Sequence, residues 1–190
     1  MNVQFLKSAA KPHEFPPDIG CEVAVVGRSN SGKSSAINAI LGRRGLARVS
    51  KTPGRTQLIN FFDLGDDRRF VDLPGYGFAK VSVGVREHWR GLISAYFETR
   101  SSLTGLIITV DIRRGLLTLD ESMISWASEL EIPLLILASK SDKLAHGAAR
   151  SRQLAIEKAV PDGTRVVLFS APKKHGVSEA RQHIESWLGL

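Results

Sequence analysis

The chain of 190 residues carries 26 Lys and Arg against 19 Asp and Glu, which gives a formal net charge of +7. Hydrophobic residues make up 43% and charged residues 24%, values typical of one folded domain and not of a disordered chain. No apolar run approaches the ~18–20 residues of a membrane span, no secretory signal is recognisable, and the single cysteine excludes a disulfide framework, so we expect a cytoplasmic protein.

The first twenty residues are predicted to form an irregular N-terminal arm. They contain Pro12, Pro16 and Pro17, and a short helix is expected over residues 3–10. The remainder, residues 21–190, is predicted to fold as a single domain.

The first element of that domain is predicted to be a buried strand over residues 22–26, an apolar and β-branched run bounded by glycine. A helix with apolar residues at helical spacing follows Gly32 and ends at Gly42. Residues 43–57 are basic and show no periodicity, and long loops of this kind inside compact domains are usually functional.

Beyond that loop the chain alternates between apolar strands and amphipathic helices. Strands are predicted over residues 58–64, 68–73, 105–110, 133–138 and 165–169. Helices are predicted between and after these strands, over Trp89 to Phe97, Leu119 to Leu130, residues 148–159, and Ala180 to Leu188. Their apolar faces, which include the three tryptophans, are expected to pack in the core. The short turn at residues 65–67 makes one strand antiparallel. The alternation therefore predicts an α/β three-layer sandwich, with helices on both faces of a mostly parallel six-stranded sheet.

A phosphate-binding motif directly follows the first predicted strand. Gly27-Arg28-Ser29-Asn30-Ser31-Gly32-Lys33-Ser34 spells GxxxxGK[ST], and Ser35 continues the helix. Glycines at this spacing let the backbone curl, so that successive N–H groups point at phosphate oxygens beside a helix N-terminus. Lys33 is expected to reach the terminal phosphates, and the Ser34 hydroxyl to bind Mg²⁺.

A second motif, Asp72-Leu73-Pro74-Gly75, closes another predicted strand about forty residues after the phosphate motif. We expect Asp72 to contact Mg²⁺, directly or through a water molecule. We expect the Gly75 N–H to bond a γ-phosphate.

The base-reading segment is predicted at Ser139-Lys140-Ser141-Asp142, after the strand over residues 133–138. A carboxylate at Asp142 can accept both hydrogen bonds from the N1–H and N2–H₂ edge of guanine, and adenine offers no such donor pair. The aliphatic part of Lys140 can pack across the base. The last strand leads into Phe169, Ser170 and Ala171, which are placed to present a backbone N–H to the guanine O6.

These motifs together resemble those of the EngB (YihA/YsxC) family of bacterial ribosome-assembly GTPases, in the TRAFAC class. The resemblance is carried by GRSNSGKSS (27–35), KTPGRTQLINFF (51–62), DLPGYGFAKV (72–81), SKSDKL (139–144) and FSAPKKHG (169–176). It implies a Ras-like P-loop GTPase fold. It also implies a role in large ribosomal subunit assembly, needed for normal cell division and septation.

The resemblance further implies two switch segments, residues 43–57 and 74–85, ordered by GTP and released by hydrolysis. Ser35, Gly54, Arg55 and Thr56 join the GTP-binding set on this basis, with Thr56 as the switch threonine that meets Mg²⁺ and the γ-phosphate. The implied metal ligands are Ser34, Thr56 and Asp72. The implied catalytic residues are Lys33, Thr56 and Gly75.

Hydrolysis by the isolated protein is expected to be slow. Related GTPases place Gln after DxxG to orient the attacking water, and this chain has Tyr76 there. Asn30 leaves two alternatives open: in related GTPases this Asn helps to hold a stimulating K⁺, or it merely braces the loop.

The positive charge is concentrated in two parts of the chain. Residues 1–57 contain nine basic and three acidic side chains, and residues 139–175 contain eight and three. Such stretches favour a polyanionic partner such as ribosomal RNA, with Arg43-Arg44 and Lys173-Lys174 as candidates, although an ordinary solvated surface would look the same. We expect a monomer.

Two other functions stay open on the sequence alone. A P-loop kinase would explain the phosphate motif but leaves Lys140, Asp142 and the TPGRTQ segment without a purpose. A nucleotide-bound scaffold that barely hydrolyses GTP agrees with Tyr76.

Overall fold

The computed structural model describes residues 3–47, 58–77 and 83–190. Its strands are β1 (Gln4–Ala9), β2 (Cys21–Gly27), β3 (Ile59–Gly65), β4 (Arg68–Asp72), β5 (Leu103–Asp111), β6 (Leu134–Ser139) and β7 (Arg165–Leu168). Its α-helices are α1 (Lys33–Ile40), α2 (Val83–Thr99), α3 (Thr118–Glu129), α4 (His146–Glu157) and α5 (Val177–Trp187). Short 3₁₀ turns cover Pro12–Glu14 and Ser141–Lys143.

The strands form one sheet in the order β1-β3-β4-β2-β5-β6-β7. Strand β3 is antiparallel to both of its neighbours, β1 and β4, while β4, β2, β5, β6 and β7 pair in parallel. The predicted α/β class and the single antiparallel strand in a mostly parallel sheet are confirmed. The described residues contain seven strands, however, and not six.

The extra strand is β1, so the helix predicted over residues 3–10 is wrong. Residues 4–9 pair with β3, with Ala9 opposite Ile59 and Phe5 opposite Phe62. The local sequence QFLKSA has no clear period-two alternation, and both Phe5 and Leu6 are exposed. Its strand conformation comes from hydrogen bonding to a segment fifty or more residues away, which no local pattern encodes.

The central strands are apolar on both sides because helices cover both faces of the sheet. Ala24 and Val26 of β2 face the cluster formed with α2, α3 and α4, while Val23 and Val25 face the cluster formed with α1 and α5. A continuous apolar run, in place of an alternating one, is what a strand buried on both faces requires. The predicted three layers are therefore confirmed.

The helix predictions hold with small shifts at their ends. Trp89, Trp126 and Trp187 pack against the core as predicted. The apolar stripe of α3 is narrower than expected, because Leu119 is 48% exposed and Leu130 is 38% exposed. Among the described residues, no helix combines the length and the apolar character needed to cross a bilayer.

Candidate functional site

The loop between β2 and α1 is curled by two residues with left-handed backbone. Asn30 has φ of 64° and Gly32 has φ of 97°. Gly27, where β2 ends, has no room for a side chain, because a Cβ atom there would lie 2.0 Å from the hydroxyl of Thr109. The glycines of the motif thus allow both the curl and the close approach of β5.

The curled loop is held from behind by hydroxyl groups. The Ser31 hydroxyl lies 2.6 Å from that of Thr109 on β5, and Ser139 at the end of β6 donates a hydrogen bond to the Ser31 carbonyl. Neither Thr109 nor this role of Ser139 was found from the sequence. Both residues lie near the carboxyl ends of neighbouring parallel strands, which is the signal that could have located them.

The loop also exchanges backbone hydrogen bonds with the segment after β4. Tyr76 N–H donates to the Gly27 carbonyl at 3.2 Å, and Ser29 N–H donates to the Tyr76 carbonyl at 2.9 Å. Ser31 N–H donates within the loop, to Arg28 at 3.0 Å. The loop therefore holds its shape through the protein's own bonds, and the amides of Ser29 and Ser31 are engaged in them.

The free N–H groups of the site lie at the start of α1. The helix begins at Lys33, so the amides of Lys33, Ser34 and Ser35 lack acceptors within the helix. The partial positive charge of the helix N-terminus adds to these donors. Together they form a site that favours an anion.

Asp72 lies directly across from the lysine of the loop. Lys33 Nζ forms an ion pair with Asp72 Oδ1, and both side chains are largely buried. The other carboxylate oxygen lies 3.5 Å from Asn60 Nδ2, on the neighbouring residue of β3 in the register. Asn60 was missed in the sequence, and only the antiparallel pairing of β3 with β4 brings it here.

The Asp72 carboxylate and the Ser34 hydroxyl are suitable ligands for Mg²⁺. This ion usually binds one or two carboxylates or hydroxyls together with phosphate oxygens, and water molecules complete its octahedral coordination. Asp72 is 8% exposed and lies next to the start of α1, where Ser34 stands. No cluster of three or more His, Cys, Asp or Glu side chains able to hold a metal occurs in the described part of the chain.

The DxxG segment runs against the phosphate loop. Leu73 N–H donates to Val25 at 2.9 Å, and a Cβ atom on Gly75 would lie 3.0 Å from the Gly27 carbonyl oxygen. Pro74 accepts a hydrogen bond at 3.0 Å from the indole of Trp89 on α2. The segment is therefore joined to the loop on one side and to α2 on the other.

Lys140 links the predicted base-reading segment to the phosphate loop. Its ammonium donates to the Asn30 carbonyl at 2.5 Å and to Asp111 Oδ2 at 2.9 Å. Its own backbone is left-handed, with φ of 59°. The aliphatic part of the Lys140 side chain therefore spans from residues 139–142 to the phosphate loop. Packing over a planar base would require this extended arrangement.

Asp111, the last residue of β5, was not recognised in the sequence. Desolvation raises its pKa, but hydrogen bonds from Arg113 and Lys140 outweigh that effect and hold the pKa below the usual carboxyl range. Asp111 therefore stays ionised and fixes the position of the lysine. Arg113, two residues further along the chain, holds the Asp111 carboxylate through hydrogen bonds from its backbone N–H and its guanidinium group.

The other half of the base-reading segment meets the loop after β7. Ser141 N–H donates to the Phe169 carbonyl at 3.1 Å, and the Ser170 hydroxyl donates to Asp142 Oδ1 at 2.6 Å. That hydrogen bond lowers the pKa of the Asp142 carboxyl and keeps it an acceptor at neutral pH. Residues 139–142 and Phe169, Ser170 and Ala171 are thus brought together.

Tyr76 is turned away from this site. Its side chain is 5% exposed, and its hydroxyl donates a 2.7 Å hydrogen bond to Asp120 Oδ1 at the start of α3. Three predicted site residues, Gly54, Arg55 and Thr56, lie outside the described residues, as do parts of both predicted switch segments.

A scan against protein families matches residues 22–140 to the family described as 50S ribosome-binding GTPase. The matched part is more than half of the chain. It contains the phosphate loop, the DxxG segment and the start of the base-reading segment.

Solved structures with the same fold include a probable GTP-binding protein engB, with a TM-score of 0.70, 21% identity, and coverage of 88% of this chain and 98% of that chain. Era from Aquifex aeolicus bound to GDP and AlF₄⁻ matches with a TM-score of 0.68 and 22% identity, over 88% of this chain and 56% of that one. Era in complex with MgGDPNP and nucleotides 1506–1542 of 16S ribosomal RNA matches with a TM-score of 0.62 and 19% identity, over 88% of this chain and 56% of that one.

Proposed function

The chain belongs to the 50S ribosome-binding GTPase family, and from that premise we propose that it is a Mg²⁺-dependent GTP switch that acts in assembly of the large ribosomal subunit. Family membership confirms the GTPase resemblance drawn from the sequence, and the fold shared with a probable GTP-binding protein engB agrees with it. A P-loop kinase is set aside because the matched family is one of GTPases.

One arrangement carries the proposal. The ion pair of Lys33 with Asp72 and the base-reading pair Lys140 and Asp142 all lie at the carboxyl edge of the parallel strands. Lys140 contacts the phosphate loop itself. One ligand can therefore meet the phosphate donors at one end and the guanine acceptor at the other.

The proposed Mg²⁺ would take its ligands both from protein side chains and from the phosphate oxygens of the bound nucleotide. Mg²⁺ would be held by the Ser34 hydroxyl and the Asp72 carboxylate, with Thr56 proposed as the third protein ligand. It would neutralise phosphate charge during hydrolysis. Lys33 then binds phosphate oxygens in place of its present carboxylate partner, and the α1 amides orient the phosphates.

Slow intrinsic hydrolysis is supported by the position of Tyr76. Its hydroxyl is buried and donates a hydrogen bond to Asp120, so it does not orient a water molecule beside Gly75. The same observation favours a second candidate, a nucleotide-bound scaffold with negligible turnover. Turnover measured with and without large ribosomal subunits separates the two, because only a GTPase switch is accelerated.

Potassium stimulation through Asn30 stays a prediction. Asn30 is exposed with φ of 64°, and its carbonyl accepts from Lys140, which equally suits a bracing role. Turnover in KCl and NaCl at equal ionic strength decides between the two, and identical rates would remove the potassium role.

The ribosomal role rests on the family and on charge. The two basic parts of the chain suit an RNA surface, and an Era structure of the same fold holds a 16S ribosomal RNA segment. The need for normal septation comes into the proposal from the EngB resemblance, and the cytoplasmic location and monomeric state are carried over as expectations from the sequence. Co-sedimentation with large subunits in GDP and in a non-hydrolysable GTP analogue tests the switch, and equal pelleting in both states would contradict it.

Guanine selectivity is tested by Asp142→Asn. The amide replaces one acceptor by a donor, so guanine loses a hydrogen bond while xanthine, with a carbonyl at position 2, gains one. We expect calorimetry to show a fall in GDP affinity of at least about tenfold and a rise for XDP. Asp162→Asn, on an exposed loop, is the matched control and should leave both affinities unchanged. Unchanged GDP affinity in the Asp142 variant would contradict the assignment.

A further inference from the structure

A long groove lies between α2 and α3, on the sheet face opposite α1 and α5. It encloses about 1120 Å³ and is lined by residues from both helices and by the segment Gly75 to Gly77. This exceeds the roughly 300–1,000 Å³ of small-molecule pockets. From Arg86 to Glu98 the groove follows α2 for ~18 Å, about the length of a three-turn helix.

The floor of the groove is aromatic and apolar. Trp89 packs edge-on against Tyr76, with ring centroids 6.3 Å apart, and Trp126 packs against Phe97 at 5.1 Å. Both tryptophans are only partly buried, and Leu119 on the rim is 48% exposed. Tryptophan is one of the residue types that most often anchor protein interfaces. The exposed Leu119 adds apolar surface beside the two indole rings.

The two rims of the groove differ in net charge. The α2 side presents Arg86, Arg90 and Glu98, whereas the α3 side presents Glu121 and Glu129, and all five side chains are exposed. In the part of the chain that the structure describes, neither arginine has an ion-pair partner. Their charges therefore remain available for a partner that carries acidic side chains on one edge and basic side chains on the other.

The rim charges argue against a nucleic acid here. A phosphate backbone laid along the groove would meet the carboxylates of Glu98, Glu121 and Glu129, which outnumber the two arginines. The basic excess lies elsewhere, in residues 1–57 and 139–175. Within the described part of the chain, no residue that lines the groove belongs to a strand, so a bound segment would lie between two helices and not extend a sheet.

The groove is joined to the phosphate loop through Tyr76. This residue lies on the groove floor, and its backbone exchanges hydrogen bonds with Gly27 and Ser29 of the loop. Its hydroxyl binds Asp120 at the start of α3. A change at Gly75 on GTP binding would therefore reach both walls of the groove.

We propose that this groove binds an amphipathic helix of a protein component of the large ribosomal subunit, with an apolar face on Trp89 and Trp126 and its acidic edge beside Arg86 and Arg90. The inference deepens the proposed function, since it names the surface and the kind of molecule through which the switch contacts the subunit.

The first test uses purified large subunits and a non-hydrolysable GTP analogue. Leu119→Glu places a charge on the rim, and Leu154→Glu, on α4 and 42% exposed, makes the same change elsewhere on the surface. We expect Leu119→Glu to weaken subunit binding by at least about tenfold, while Leu154→Glu binds as the unchanged protein does. Both variants should bind nucleotide normally, which controls for folding.

The second test identifies the class of molecule. In a Cys21→Ser background, Ser122→Cys on the exposed side of α3 is labelled with a thiol-reactive benzophenone and irradiated on the subunit. We expect an adduct that is sensitive to protease and resistant to nuclease, and none of this adduct from Leu154→Cys. Three outcomes would overturn the inference and leave the proposed function intact. These are an adduct to RNA, the absence of an adduct when the protein is bound to subunits, and full subunit binding by Leu119→Glu. No subunit binding by the unchanged protein in either nucleotide would overturn both.

Discussion

At the scale of single residues, the candidate site depends on side chains that hold other side chains in place. Lys140 reaches over the phosphate loop because Asp111 accepts a hydrogen bond from its ammonium and is itself held by Arg113. Tyr76 orders the DxxG segment through a buried hydrogen bond to Asp120. Each of these contacts involves an ionisable group, so each makes a prediction about pH.

Asp111→Asn is expected to lower stability at neutral pH by about 1–3 kcal/mol, because the three charge-assisted hydrogen bonds from the side chains of Arg113 and Lys140 are weakened. The folded pKa of Asp111 is lowered, so its contribution is present above the unfolded pKa near 4 and is lost as pH falls. Urea unfolding at pH 7 and in acid should show the variant losing less stability in acid than the unchanged protein. An equal loss would contradict the role of Asp111, and weaker GDP binding should accompany the change.

Tyr76→Phe is expected to cost about 1–3 kcal/mol, because it leaves the buried Asp120 with one donor fewer. Desolvation raises the pKa of Asp120, so its ionisation destabilises the fold as pH rises above about 4 through the folded pKa. Without the Tyr76 hydroxyl the pKa of Asp120 is raised further. The loss of stability with rising pH should therefore become larger and extend to higher pH. Unfolding measured from pH 4 to 8 checks this.

Adding Asp120→Asn to the Tyr76 variant supplies the control. The titrating carboxyl is then gone, so the extra pH dependence should disappear. If it persists, the hydrogen bond between Tyr76 and Asp120 is not its cause.

At the scale of elements, close approach between strands and helices decides which positions must be glycine. Gly105 on β5 faces Trp187 of α5, and a Cβ atom there would lie 2.2 Å from the indole ring. Gly91 on the exposed side of α2 has nothing within 4 Å of such an atom. The same substitution should therefore act in opposite directions at the two positions.

Gly105→Ala is expected to destabilise the protein by about 1–3 kcal/mol, since α5 must move off the sheet to make room. Gly91→Ala should stabilise it by up to about 1 kcal/mol, because alanine is the better helix former. Thermal unfolding of the two variants side by side measures both. A neutral Gly105→Ala would show that the packing of α5 on β5 is looser than described.

The elements themselves were largely predictable from the sequence, with β1 as the exception. Strands β2, β5 and β6 are apolar runs long enough to identify because both of their faces are buried. Strand β1 lies at the edge with Phe5 and Leu6 exposed, so its sequence carries no such signal. Its conformation depends on β3, which supplies the hydrogen bonds.

At the scale of the whole molecule, a buried charge cluster joins the N-terminal arm to the sheet at the end remote from the site. Glu22 is 0% exposed and accepts hydrogen bonds from Arg69 of β4, from Tyr96 of α2, and from Arg100 just beyond α2. Arg100 also donates to Pro16 and Pro17 of the arm. The cluster fixes the far end of α2, whose first residues belong to the predicted switch over residues 74–85.

Glu22→Gln is expected to cost about 3–5 kcal/mol, because it removes the buried carboxylate that Arg69 and Arg100 share and leaves Arg100 with only the more distant Asp18, at 3.6 Å. Glu179→Gln breaks a solvent-exposed pair with Arg165 and should cost no more than about 1 kcal/mol. Chemical unfolding of both variants at pH 7 measures the difference. Similar losses in the two would mean that the buried cluster contributes no more than a surface ion pair does.

The sequence by itself determined the fold class and the phosphate loop of this protein, and it predicted the segment that we propose reads the base. Those features depend on local sequence, because a glycine pattern, an apolar run or a short motif determines the conformation of the residues next to it. Only the tertiary structure revealed Asn60, Thr109 and Asp111 as parts of the site, the edge strand β1 and the groove beside Tyr76. Each of these arises where residues far apart in the chain meet, and such meetings depend on strand order and helix packing, which no single stretch of sequence specifies.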